Sequence, residues 1–115
     1  MTARLTALPI LLIAAIVWIG SAPLDAQRRP ARKPAIHTVT IDGSKFSPAE
    51  LTVETGDTVV WVNKDILAHT ATSAGGGFDS KVIDPGKSWK LVAKKRGDFS
   101  YACAFHPMNG RLIVQ

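Results

Sequence analysis

The sequence predicts an all-β domain, a sandwich or barrel of seven or eight short strands. Three observations carry that expectation. Beyond residue 36, polar and apolar residues alternate in short runs with the period of a half-buried strand. Turn-forming groups such as Gly43-Ser44, Thr55-Gly56-Asp57 and Asp84-Pro85-Gly86 separate those runs at near-regular spacing. No segment after residue 26 has the periodicity of an amphipathic helix, and no internal repeat is present.

Residues 1–26 have the layout of a secretory signal. A short start around Arg4 precedes an almost unbroken apolar run from Leu8 to Ile19, and Ser21-Ala22-Pro23-Leu24-Asp25-Ala26 is a small-residue exit. Cleavage is expected after Ala26 rather than Ala22, because Pro23 would follow the earlier cut. The protein is then exported, to the periplasm or an equivalent compartment. Uncleaved, the same run is a membrane anchor, although it falls short of the roughly 20 apolar residues of a spanning helix. Residues 27–35 form a basic spacer with Arg28, Arg29, Arg32 and Lys33 between prolines. With no hydrophobic pattern, the spacer is expected to be mobile and solvated, with weak attraction to an anionic membrane surface as its functional reading.

The folded domain is expected over residues 36–115. Thr38–Asp42 alternates as a strand, and Phe46-Ser47-Pro48-Ala49 reads as a turn carrying one aromatic plug. Leu51–Glu54 alternates again. Thr58–Asn63 is β-branched and apolar enough for a buried strand. His69 opens a short strand through Thr72, Gly75-Gly76-Gly77 crosses over, and Phe78–Ser80 with Val82-Ile83 leads into the Asp84-Pro85-Gly86 turn. Ser88–Val92, Phe99–Cys103 and Arg111–Gln115 complete the set. Trp61, Trp89, Phe46 and Phe99 read as core.

Charge narrows the function. The chain has 14 basic and 9 acidic residues, a net of +5, but residues 36–115 hold nine basic against eight acidic. The excess lies in the spacer. A nucleic-acid partner would need that charge on a folded face beside base-reading side chains, and neither is present. Lys94-Lys95-Arg96 is a solvated turn, and a monomer is expected. Cys103 is the only cysteine, so no disulfide forms within the chain, and an unpaired thiol in an exported protein calls for another use.

That use is suggested by Tyr101-Ala102-Cys103-Ala104-Phe105-His106-Pro107-Met108-Asn109-Gly110, which puts a thiol, an imidazole and a thioether within six positions. Cys103 and His106 alone suit zinc, haem attachment or a thiol nucleophile equally. Haem attachment would require a second cysteine, and zinc further ligands where the chain offers only His69 and His37. His37, at a strand start, reads as structural. A thioether selects copper, and a trigonal His2Cys plane with a long axial Met accepts Cu(I) and Cu(II) in nearly one geometry. His69, Cys103, His106 and Met108 are therefore the candidate metal ligands.

These residues, together with Phe46-Ser47-Pro48-Ala49-Glu50, the run from Gly56 through Asp65 to His69-Thr70, and Phe78-Asp79-Ser80, resemble the cupredoxins, especially those of the amicyanin, plastocyanin and pseudoazurin type. The resemblance covers residues 37–115. It implies an eight-stranded Greek-key sandwich and one copper ion held by His69, Cys103, His106 and Met108. It further implies one-electron transfer between redox protein partners that dock transiently where Ala104, Phe105, Pro107 and Met108 surround His106. Two positions depart from the family. Only Pro107 separates His106 from Met108, so that in an extended segment the two would share one side, and a backbone carbonyl or Asn109 remains an alternative axial group. Thr70 replaces the Asn common after the upstream His, and its hydroxyl is expected to tie the two ligand loops together.

Two other readings compete. A copper delivery or tolerance protein would favour an open, Met- or His-rich site, whereas this chain has one Met besides the initiator. A nucleophilic enzyme built on Cys103 and His106 would need an orienting acid and an oxyanion loop, and the sequence shows neither. The chain is expected not to be an enzyme.

Overall fold

The structure is a computed structural model that describes residues 2–4, 6–7, 9, 13–20 and 32–115. The chain divides into two units, Met1–Ala31 and Arg32–Gln115. The described residues of the first carry no regular secondary structure, and no described helix is long and apolar enough to cross a membrane. The expected cleavage position after Ala26 and the spacer residues Arg28 and Arg29 lie outside the described residues.

The second unit is all-β, with eight strands and no helix among the described residues. They are β1 (Ile36–Asp42), β2 (Lys45–Ser47), β3 (Glu50–Val53), β4 (Thr58–Asn63), β5 (Thr72–Ser73), β6 (Ser88–Val92), β7 (Gly97–Ala102) and β8 (Asn109–Val114). Two four-stranded sheets result, in the orders β2-β1-β4-β6 and β3-β8-β7-β5. β1 runs parallel to β4, and β3 parallel to β8, so each sheet joins strands distant in sequence.

Period-two alternation sets what each strand buries. Val39 and Ile41 of β1, Val59, Trp61 and Asn63 of β4, and Gly110, Leu112 and Val114 of β8 all point inward. Trp61 is fully enclosed and stands opposite Trp89 in the β4–β6 register, with ring centroids 5.4 Å apart. Phe78, Tyr101 and Phe46 extend the aromatic cluster, Tyr101 meeting Phe46 edge-on at 4.7 Å. Such pairs add about 0.5–1.5 kcal/mol each beyond the area they bury. Gly110 is required by close approach: a methyl there would overlap the Tyr101 ring.

Two local expectations change. Lys45–Ser47 is a short strand, not a turn, because Phe46 pairs with Ile41 while plugging the core. The strand expected from His69 through Thr72 is confined to Thr72–Ser73, and His69 itself forms only an isolated bridge, to Ile83. The end of the basic spacer is also engaged. The buried carboxylate of Asp57 accepts the Arg32 guanidinium (2.7 Å), the Ala35 amide (2.9 Å), His37 Nε2–H (2.9 Å) and the Glu54 amide (3.1 Å). His37 is structural, as expected. The Ala35 amide first, then His37, against the opposing effect of burial, and further the Glu54 amide and Arg32, hold Asp57 well below the usual carboxylate range.

Candidate metal centre

One end of the sandwich collects the chemistry. The inward register of β7, Phe99 then Tyr101, continues one step past the strand and turns Cys103 into the interior, where it is 8% exposed. The inward register of β4 ends likewise on Asn63, which is fully buried and organises the loop that follows. Its Nδ2 donates to the carbonyls of Leu67 and Ile83, each at 2.8 Å, while its Oδ1 accepts the Asp65 amide at 2.9 Å. The loop is thereby fastened at both ends, and His69 emerges from it fully buried, its amide and carbonyl bridged to Ile83.

Behind His69, the Asp65 carboxylate accepts Nε2–H at 2.9 Å. A carboxylate oxygen accepts only, so Nε2 carries a proton, and in the neutral ring the lone pair on Nδ1 is the one turned to the site. The Ser44 amide first, then His69 and the Ile66 amide, hold Asp65 below the usual carboxylate range against the opposing effect of burial.

The Cys103 sulfur accepts the amides of Thr70 (3.3 Å) and Phe105 (3.4 Å). Burial alone would push this thiol up, but the Phe105 and Thr70 amides and the two imidazoles outweigh it and bring it down to about 6. The Thr70 hydroxyl accepts the Ala104 amide at 2.8 Å and passes its own proton to Thr72 Oγ1, which donates to Asp79. This is the cross-loop tie expected of Thr70.

Three of the four expected ligands bring donor atoms to one point. His69 Nδ1 and His106 Nδ1 are 3.2 Å apart, and the Cys103 sulfur lies 3.7 Å from the first and 3.9 Å from the second. A triangle with these edges has its centre about 2.1 Å from each corner, within the roughly 2.0–2.3 Å that nitrogen and thiolate sulfur keep from a first-row metal such as zinc. At least two of the three corners present lone pairs, which an intervening cation would satisfy. The donor set and its spacing fit a single soft transition metal ion.

Met108 follows a bend in the same loop. The segment from Ala104 to Pro107 bends rather than running extended, and the Met108 amide donates back to the His106 carbonyl at 2.8 Å. That three-residue turn is centred on Pro107, whose fixed φ suits it, and it accommodates the short spacing. The Met108 carbonyl then accepts the Cys103 amide at 3.3 Å, closing the loop. Met108 is 3% exposed, so it does not belong to the surface around His106. That surface is Ala104, Phe105 and Pro107, with His106 itself half-buried.

Asn63 and Asp65 were assigned no role from sequence. An Asn-x-Asp turn ending four residues before a histidine was the available signal, since both side chains are short enough to cap neighbouring amides. Asp65 also supplies the acid that the enzyme reading lacked: sulfur, His69 and Asp65 stand in line as a nucleophile, base and orienting group would. His69, however, is fully enclosed and Cys103 is buried, an arrangement unlike the open cleft such a triad needs.

The family model of the cupredoxin-like domain matches residues 9–114. Amicyanin of Paracoccus versutus is 28% identical over 83 residues, covering 67% of this chain and 63% of that protein. Chloroplastic plastocyanin of Tetradesmus obliquus is 32% identical over 84 residues, covering 61% and 58%. The chain thus spans less than two thirds of the length of these curated relatives. Among solved structures, an amicyanin variant in its Cu(I) state superposes with a TM-score of 0.65 at 26% identity, over 69% of this chain and 81% of that one. The copper-containing nitrite reductase of Thermus scotoductus gives 0.66 at 27% identity, over 76% of this chain but 24% of the enzyme, so the fold also occurs within an enzyme. With an eight-stranded two-sheet sandwich and a His-Cys-His group at one end, this chain belongs to the cupredoxin-like family.

Proposed function

We propose that this protein is an exported type 1 copper protein that carries single electrons between larger redox partners and is not itself an enzyme. The convergence of His69 Nδ1, Cys103 Sγ and His106 Nδ1 on a point about 2.1 Å from each carries the reading, since that is a trigonal His2Cys set. His69, Cys103 and His106, together with the Met108 thioether, would hold the copper. When bound there, copper supplies a one-electron couple with an intense sulfur-to-metal transition.

The protein's own part is to keep the donors still. Asn63 fastens the loop carrying His69, two amides fix the sulfur, and the Thr70 hydroxyl ties one ligand loop to the other. A cage that does not rearrange between oxidation states keeps the reorganisation cost of electron transfer low. His106 is the route outward, because it is the least buried member of the triad and is flanked by exposed Phe105 and Pro107. Ile66 and Leu67, shortly before His69, are exposed too, and an apolar surface of this kind suits small, transient contacts. Residues 1–26 act as the export signal and 36–115 as the copper domain. Lys33 and the preceding spacer arginines offer the membrane surface its weak attraction, while Arg32 is already paired with Asp57.

The enclosed site, with one buried Met besides the initiator, weighs against delivery of copper to other proteins. Adding Cu(II) to the purified protein separates the readings. An intense thiolate-to-copper band with reversible reduction is expected; weak colour means simple binding, and none leaves the sulfur without a metal role.

A further inference from the structure

The carboxylate of Asp65 touches no expected ligand atom facing the metal, yet it stands directly behind His69. Its Oδ2 accepts both His69 Nε2–H and the Ser44 amide at 2.9 Å, and its Oδ1 accepts the Ile66 amide at 2.8 Å. The Asp65 side chain is 11% exposed and that of His69 fully enclosed. Building on the copper reading, we propose that Asp65 is a positioning residue that sets the redox balance of the site, holding His69 in one tautomer and placing a full negative charge behind its ring.

Several features support a charge effect over simple orientation. A backbone carbonyl in the same place would align the ring equally well but carry no net charge. Among the described residues no lysine or arginine pairs with Asp65, so its charge is neutralised only by amides and by the imidazole it holds. The carboxylate cannot swing away easily. The Ser44 amide that grips it comes from the β1–β2 turn, where Gly43 and Ser44 both have φ near +55° (56° and 54°), and the Asp65 amide is itself held by Asn63. Electron density pushed through the ring to Nδ1 stabilises the doubly charged cupric state more than the singly charged cuprous one. Asp65 therefore lowers the reduction potential.

Asp65→Asn is the test, since it preserves size and leaves an oxygen for Nε2–H while removing the charge. Partners of this kind change metal affinity about 10–100-fold. We expect Cu(II) affinity to fall by at least about tenfold relative to Cu(I), a rise in potential of about 59 mV per tenfold change for a one-electron couple. In the copper-free protein, nitrogen NMR should find His69 protonated on Nε2 alone, and Asp65→Ala should lose that single tautomer. A blue wild-type protein whose potential is unmoved by Asp65→Asn overturns this inference alone, as does a copper-free wild type with the His69 proton on Nδ1. A wild type with no copper–thiolate band removes the copper reading and this inference together.

Discussion

Replacing Asn63 by alanine tests whether the metal cage is rigid because of one buried amide. The Asn63 side chain is completely enclosed and makes three bonds, to the carbonyls of Leu67 and Ile83 and from the amide of Asp65, all between 2.8 and 2.9 Å. Alanine removes all three and leaves the buried Ile83 carbonyl with only its bridge to the His69 amide. Each bond contributes about 1 kcal/mol net, so the loss is about 3 kcal/mol. Against the 5–15 kcal/mol typical of a small domain this is a large fraction, and it corresponds to a melting temperature lower by about 12–24 °C. Urea unfolding of the copper-free protein measures it without interference from the metal. Lys64→Ala, exposed and next in sequence, is the control and should change stability by less than about 0.5 kcal/mol. A loss below about 1 kcal/mol for Asn63→Ala would mean that the loop is held by something else, and the argument for a stiff cage would fail with it.

Four other outcomes are expected. Cys103→Ser should abolish the intense visible band while costing the copper-free protein only about 1 kcal/mol, because the hydroxyl can still accept the Thr70 and Phe105 amides; absorption retained in the variant excludes the sulfur as ligand. Met108→Leu conserves volume in a buried position and should change stability by less than about 1.5 kcal/mol, yet raise the potential by removing the proposed thioether ligand; an unmoved potential argues for another group in its place. Gly110→Ala forces a methyl into the Tyr101 ring and should cost about 3 kcal/mol in urea unfolding, with a neutral result showing that the ring can shift. Asp57 is held below the usual carboxylate range in the folded state, so its stabilisation is complete above the ordinary carboxylate pKa and is lost as pH falls toward the folded value. The stability gap between wild type and Asp57→Asn should therefore be widest near neutral pH and narrow steadily below about pH 4; a gap independent of pH would show that the carboxylate's charge contributes nothing.

Strand positions were largely readable because alternation is a local property. Thr58–Asn63 and Ser88–Val92 came out with the observed ends, the first because its apolar, β-branched run suits a strand covered on both faces, the second because its half-buried and exposed residues alternate. Phe46 was misjudged as part of a turn because a three-residue strand is too short to show a period. Thr70 could be given a bridging role because it stands where the resembling family commonly has Asn after the upstream His.

Residue chemistry alone determined the donor types: one thiol, few imidazoles and a thioether in a chain without a second cysteine leave little but a soft metal for them to share. Only tertiary structure decided the distances, because His69 and Cys103 are 34 residues apart and meet solely through the register of β5 on β7 and the loop fastened by Asn63. It also decided that Asp65 stands behind His69, that Met108 is buried beneath a turn at Pro107, and that Arg32 leaves the spacer to reach Asp57. A hydrogen bond or a ligand triangle depends on where two distant backbones finish, and that position is the sum of all the packing between them, which no short window of residues contains.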